Sequence, residues 1–166
     1  MSLHPQHFAP AWLRPHDRGR QEGNARPRGR SHERPGHREA VMDKKELYRE
    51  AKAAMVNAYA PYSNFTVGAA LLTKSGRVFT GVNVENASFG ATICAERTAC
   101  VKAVSEGHKD FAAIAIASSR GGAPMCGICR QFLSEFAPDL KVITGDDEDH
   151  LIVTELTELL PDNFRL

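Results

Sequence analysis

No stretch of this 166-residue chain is apolar over the roughly twenty residues that a membrane span requires, and its N-terminus lacks the apolar core of a secretory signal. A soluble, cytoplasmic protein without a membrane partner is expected. Excess charge is also missing overall, at +1, but the sum hides a split. Residues 1–41 carry eight Arg against four acids, whereas the remainder has 13 Lys plus Arg against 16 acids. Without an export signal, the four cysteines point to metal binding or catalysis rather than to disulfides. The length suits one domain with a sizeable core.

Residues 1–41 also lack any apolar period of 3.6 or 2, while holding five of the nine prolines and five of the seven histidines. Such a segment buries too little surface to offset the entropy of ordering it, so a disordered Arg/Pro/Gly/His-rich extension is expected. Its charge is not interleaved with aromatics for stacking on bases. Met42 begins a sequence that reads as a domain in itself, residues 42–166, and the extension is expected to be dispensable for activity.

Within that domain, Asp43-Lys44-Lys45-Glu46 has the form of a capping box, and Leu47, Ala51, Ala54, Met55 and Ala58 follow at helical spacing. Pro61 disfavours helical geometry at Ala60, so this helix must stop near Tyr59. Phe65 to Thr73 and Arg77 to Asn83 are β-rich runs around Lys74-Ser75-Gly76, which predicts an antiparallel hairpin. With Thr92 as N-cap, Ile93 to Glu106 reads as a second helix ended by Gly107, with Cys100, Val101 and Val104 on one stripe. Phe111 to Ala117 is almost wholly apolar, as befits a central strand covered on both faces. Cys129, Phe132, Leu133 and Phe136 mark a third helix closed by Pro138. A short strand Lys141 to Gly145, a last strand near Leu151 and a short helix around Leu156 to Leu160 complete the domain. The acidic run Asp146-Asp147-Glu148-Asp149 lacks the spacing of a calcium loop and reads as a solvated turn. This order implies an α/β fold: a three-layer α/β/α sandwich around a mixed sheet of about five strands.

Cys94-Ala95-Glu96 and, about thirty residues on, Pro124-Met125-Cys126-Gly127-Ile128-Cys129 carry the chemistry. Three thiolates can hold Zn²⁺ and leave its fourth tetrahedral position to water, the layout of a catalytic site. Cysteines three apart at a helix start share a face and meet unpaired N–H groups and the positive end of the helix dipole, which favours thiolates. On a regular helix Cys94 and Glu96 project about 200° apart, so the metal must sit off the helix end, where Glu96 can reach water without binding the ion. Three thiolates weaken the ability of zinc to acidify water unless a cation stands nearby; Arg97 is the first candidate and Arg130 the second. A ligand-x-Glu followed by P-C-x-x-C is the signature of zinc-dependent nucleobase deaminases, and here only Met125 interrupts it.

At these residues the chain resembles the small, homotetrameric zinc-dependent cytidine deaminases of the cytidine/deoxycytidylate deaminase superfamily. The resemblance spans roughly residues 43–164 and rests on five blocks in order. They are Ala60-Pro61-Tyr62-Ser63-Asn64-Phe65-Thr66-Val67-Gly68-Ala69-Ala70; Asn83-Val84-Glu85-Asn86-Ala87; Cys94-Ala95-Glu96-Arg97-Thr98-Ala99; Cys126-Gly127-Ile128-Cys129-Arg130-Gln131; and Leu159-Leu160-Pro161 before Phe164. It implies one Zn²⁺ per chain on Cys94, Cys126 and Cys129, with Glu96 as proton shuttle. It further implies that Asn83 and Glu85 hold ribose hydroxyls, that Phe65 packs on the pyrimidine and that the backbone at Ala95 reads the base edge. Phe164 would reach a neighbouring subunit's site in a homotetramer with shared active sites. The implied reaction is hydrolytic deamination of cytidine and 2′-deoxycytidine in pyrimidine salvage.

Plainer roles stand beside these: Phe65 as strand packing, Asn83 and Glu85 as loop-shaping groups, Phe164 as a terminal anchor. Cys-Gly-Ile-Cys at a helix start also suits a redox dithiol, but that leaves Cys94-Ala95-Glu96 unexplained. A structural zinc module normally supplies four ligands, and Cys100 is badly placed to be the fourth. Other aminopyrimidine nucleosides, including blasticidin S, are alternative substrates. Cytosine in single-stranded nucleic acid is disfavoured, because polymer-binding channels are basic and aromatic-rich whereas this domain is net acidic.

Overall fold

A computed structural model of the protein describes residues 42–164; the expected extension, residues 1–41, lies outside the described residues. Five strands form one sheet in the order β2-β1-β3-β4-β5: β1 Val67–Thr73, β2 Val78–Val82, β3 Phe111–Ser118, β4 Lys141–Gly145 and β5 Leu151–Glu155. Only β3 and β4 run parallel; β1 pairs antiparallel with β2 and β3, and β4 with β5. The helices are α1 Lys44–Ala54, α2 Ala95–Ser105, α3 Gly127–Ser134 and α4 Leu156–Leu159. None of the described helices is long and apolar enough to cross a membrane.

Successive strand residues face opposite sides of a sheet, and here both sides are covered. Ala70, Leu72, Ala113, Ala115, Ala117 and Ile143 pack under Leu47, Tyr48 and Ala51 of α1. Ala69, Leu71, Ile114, Ile116 and Val142 pack on the other side, under Ala95, Ala99, Cys100 and Ala103 of α2 and Cys129 and Leu133 of α3. The result is the expected α/β/α sandwich with a mixed, five-stranded sheet. β3 lies at its centre, as its unbroken apolar run requires. The hairpin turn forms with Gly76 at φ +87°, a conformation that an L side chain rarely adopts.

Three local expectations are corrected. Asp43 caps α1 in position only, since its side chain makes no capping bond and the exposed helix end is left open to water. The second helix starts at Ala95 rather than Ile93, because Ile93 exchanges two backbone hydrogen bonds with Val84, at 2.9 and 3.0 Å, and is thereby held extended. Thr92 is therefore not its cap; Cys94 is. The buried stripe of α2 runs through Ala95, Ala99, Cys100 and Ala103, which leaves Val101 46% exposed. Small residues on this stripe let the helix lie close to the sheet. Gly81 on β2 completes that fit, for a Cβ there would run into the backbone of Ala95 and Ala99. The start of α2 is thus fixed against β2.

The acidic run forms the exposed β4–β5 connection, as expected. Asp149 pairs with Lys45 and Glu148 with Arg49, which ties the turn to α1. These are solvent-screened surface pairs that contribute little to stability.

Candidate active site

Two helix starts converge on one point. Cys94 is the N-cap of α2 and Cys126 the N-cap of α3, both with extended backbone. Each carbonyl accepts the first bond of its helix, from Thr98 N at 3.1 Å and Arg130 N at 3.0 Å, while neither side chain caps the helix. Side chains that would ordinarily serve the helix N–H groups are instead free to meet each other. The Sγ atoms of Cys94, Cys126 and Cys129 all lie within 4.8 Å of one another, and Cys94 and Cys126 are 3.8 Å apart. A tetrahedral ion with sulfur at about 2.3 Å requires S···S separations of roughly 3.8 Å. The donor set therefore fits Zn²⁺ in both spacing and chemistry. Cys100 is buried in the core outside this cluster, its thiol pushed up to about 12 by burial, so among the described residues the cluster comprises three thiols.

Before any metal binds, the cluster is already polarised. Hydrogen bonding from Cys129 and from Arg97 pulls Cys94 down to about 5, against its burial, while Cys129 is driven upward by the Cys94 thiolate and by burial. These contacts favour the thiolate at Cys94 over that at Cys129. The Arg97 guanidinium stands 3.6 Å from Cys94 Sγ and donates to the Thr92 carbonyl at 3.2 Å. Arg130, the other candidate cation, spends its donors elsewhere: on Met125 O and Leu159 O, both at 2.8 Å. Met125 itself is buried, and its carbonyl anchors the turn that presents Cys126.

A cavity of about 210 Å³ opens on the cluster. Cys94, Cys126 and Glu96 line its polar end, and Phe65, Val67, Ile116, Ala123 and Pro124 supply apolar wall. Glu96 is only 5% exposed, and burial raises its pKa above the usual carboxylate value. Burial thus disfavours the charged form of the carboxyl, the direction that suits a group placed to exchange protons in the cavity.

Comparison with known proteins agrees with this geometry. The family described as "Cytidine and deoxycytidylate deaminase zinc-binding region" matches residues 42–145. The chain belongs to this deaminase family. A cytidine deaminase from Halalkalibacterium halodurans is 50% identical over 125 residues, covering 74% of this chain and 95% of that protein. One from Sporosarcina psychrophila is 43% identical over 129 residues, covering 74% and 92%. The crystal structure of the Burkholderia pseudomallei cytidine deaminase superposes with a TM-score of 0.70 at 48% identity, over 74% of this chain and all of that one.

Against the deaminase pattern, the remaining expected residues separate into groups. Phe65, Asn83 and Ala95 line the cavity beside Glu96. Asn83 is buried, and its amide bridges the chain on either side of Thr66, accepting from Val67 N and donating to Phe65 O, both at 2.8 Å. Glu85 does not share that cavity. It lines an adjoining depression with Tyr62, Ser63 and Phe89, joined to the first through Thr92, which borders both. Glu85 is held in that depression by three donors. Its Oε2 accepts from Tyr62 N at 2.9 Å and Ser63 N at 3.2 Å, and its Oε1 from the Ser63 hydroxyl. Those bonds, led by the Ser63 hydroxyl, hold its carboxyl below the usual range. A carboxylate offers about four acceptor sites, so Oε1 retains one for a ligand hydroxyl. Phe164 is 67% exposed, and its carbonyl accepts from Gln131 Nε2 at 2.9 Å.

The places of Ser63 and Thr92 beside the cavity are not legible in the sequence, where Thr92 reads only as a helix cap. Ser63 lies inside a quoted block, but nothing in its local pattern reveals that it grips a carboxylate 22 residues away.

Proposed function

We propose that the protein hydrolytically deaminates cytidine and 2′-deoxycytidine to uridine and 2′-deoxyuridine with release of ammonia, as a soluble cytoplasmic enzyme of pyrimidine salvage. One Zn²⁺ per chain is held by Cys94, Cys126 and Cys129. Bound there, Zn²⁺ supplies a Lewis acid that makes water nucleophilic near neutral pH. Glu96 would take a proton from water and return it to the departing amine, so that a C–O bond replaces the bond between the ring carbon and its exocyclic nitrogen. Phe65 packs on the pyrimidine, and the N–H of Ala95, in the first turn of α2, reads the base edge. Asn83 and Glu85 hold the 3′-hydroxyl common to both sugars. Arg97 offsets part of the thiolate charge, which would otherwise blunt the acidifying power of the ion.

The observation that carries this reading is the meeting of three thiols at two helix starts with a buried carboxyl, Glu96, in the same cavity. It is tested by incubating the protein with cytidine or 2′-deoxycytidine, following ammonia release and the ultraviolet change, and determining bound metal. About one zinc per chain and turnover of both nucleosides are expected. A full complement of zinc without turnover of any aminated pyrimidine would defeat it.

Residues 1–41 are proposed to be dispensable. A chain starting at Met42 should fold, bind zinc and show kcat/KM within about twofold of the full chain, since the site and both core layers lie within residues 42–164. Assembly as a homotetramer that completes its sites with Phe164 of a neighbour accords with the exposure of Phe164, Phe89 at 77% and Ile128 at 66%.

A further inference from the structure

The cavity wall at Phe65 belongs to a short turn, residues 60–65, that contains the one described non-glycine residue with positive φ, Asn64 at +52°. Asparagine tolerates this conformation better than most residues, yet the turn still needs outside support to persist. On one side the support comes from Glu85 and the Ser63 hydroxyl, which also accepts from Phe65 N at 3.0 Å. On the other side a second group approaches that neither the sequence pattern nor the proposed chemistry uses. The Arg120 guanidinium lies over the Phe65 ring, 5.6 Å from its centroid, and donates to the Ser63 carbonyl at 3.2 Å.

The root of Arg120 is itself fixed. Ser119 pairs with Thr66 through Ser119 N to Thr66 O at 3.0 Å and Thr66 N to Ser119 Oγ at 3.2 Å. Arg120 N donates to Ser118 Oγ at 3.3 Å, and that hydroxyl donates to Gly121 O at 2.6 Å. Gly122 N is held by Asp146 at 2.8 Å. The guanidinium thus projects from a braced turn at the end of β3, just before the segment that carries Cys126. Arg120 is not among the residues lining the cavity, so it acts on the cavity only through Phe65 and the Ser63 carbonyl.

The geometry points to Arg120 as a positioning residue of the base pocket: it clamps Phe65 and the 63–65 backbone, and thereby sets the affinity for the pyrimidine. This rests on the reading that Phe65 packs on the base. An exposed cation–π contact and one hydrogen bond to a carbonyl are modest individually, and together they correspond to about a three- to tenfold change in binding. The chemical step lies beyond their reach.

The test is steady-state kinetics with cytidine, together with the Kd of uridine by calorimetry, on wild type, Arg120→Met, Arg120→Lys, Phe65→Leu and the Phe65→Leu/Arg120→Met double variant. Arg120→Met should raise KM and the uridine Kd about three- to tenfold, with kcat within about twofold and zinc content unchanged. Arg120→Lys keeps a cation and a donor and should recover most of the loss. In the Phe65→Leu background the same Arg120→Met change should cost clearly less than in wild type, because only the hydrogen bond to the Ser63 carbonyl is left to lose. An unchanged KM in Arg120→Met, or an equal loss in both Phe65 backgrounds, overturns the assignment while leaving the deaminase reading intact. A wild-type protein that neither turns over cytidine nor binds uridine overturns both.

Discussion

Glu96→Ala is expected to lower kcat for cytidine by a factor between about one hundred and ten thousand while zinc content stays at the wild-type level. The carboxyl occupies the second residue of α2 and is almost fully buried at the polar end of the cavity, beside the thiols but outside the ligand set. On the proposed reading, removing it deletes the group that moves protons between water and the leaving amine and spares the three thiols proposed to hold the ion. It also removes a carboxylate whose charged form is disfavoured by burial, so the fold should not suffer. Metal analysis of the purified variant beside its steady-state rate checks both halves. Near-normal turnover would refute the proton-transfer role, and loss of zinc would make Glu96 part of the metal site.

Cys94→Ala has the opposite signature: zinc and turnover should disappear together. Hydrogen bonds from Cys129 and Arg97 favour the Cys94 thiolate, and Cys94 is the one proposed ligand at the start of α2. With two thiols left, zinc should fall below about a tenth of an equivalent, and activity to background. Because metal binding adds to folding free energy, ~4 kcal/mol is at stake for a site present at a thousandfold excess over its Kd, so the variant should melt roughly 10 °C lower. Cys100→Ala is the control. Its thiol sits in the core outside the cluster, and this variant should keep both metal and turnover. A Cys94→Ala protein that retained stoichiometric zinc would require a different ligand set.

The part of this chemistry visible in the sequence is the part written in short spacings. The i, i+3 pair Cys126 and Cys129 needs only one helix turn to share a face, and the alternation in β1 and β3 needs only a sheet with two covered sides. Both appear as expected. Where α2 begins was misjudged because Thr92 is a good local cap, whereas the actual start is dictated by backbone pairing between Ile93 and Val84. The sequence ranks Arg97 ahead of Arg130 as the compensating cation, but what Arg130 does instead depends on distant contacts. Arg97 follows Cys94 by three residues and Arg130 directly follows Cys129, and the carbonyls of Met125 and Leu159, the latter 29 residues away, show that Arg130 is committed elsewhere.

By itself the sequence determined the α/β/α layering, the helix and strand order, the membership of three cysteines in one site and the family to which they belong. Periodicity and ligand spacing are local, and local patterns survive without knowledge of the fold. Tertiary structure decided that Cys94 and Cys126 are both N-caps with idle side chains 3.8 Å apart, that Glu85 is drawn by Ser63 into a neighbouring depression, and that Arg120 braces Phe65. Each of these joins segments distant along the chain, and the hydrogen bonds and packing that select them exist only once the sheet has brought those segments together.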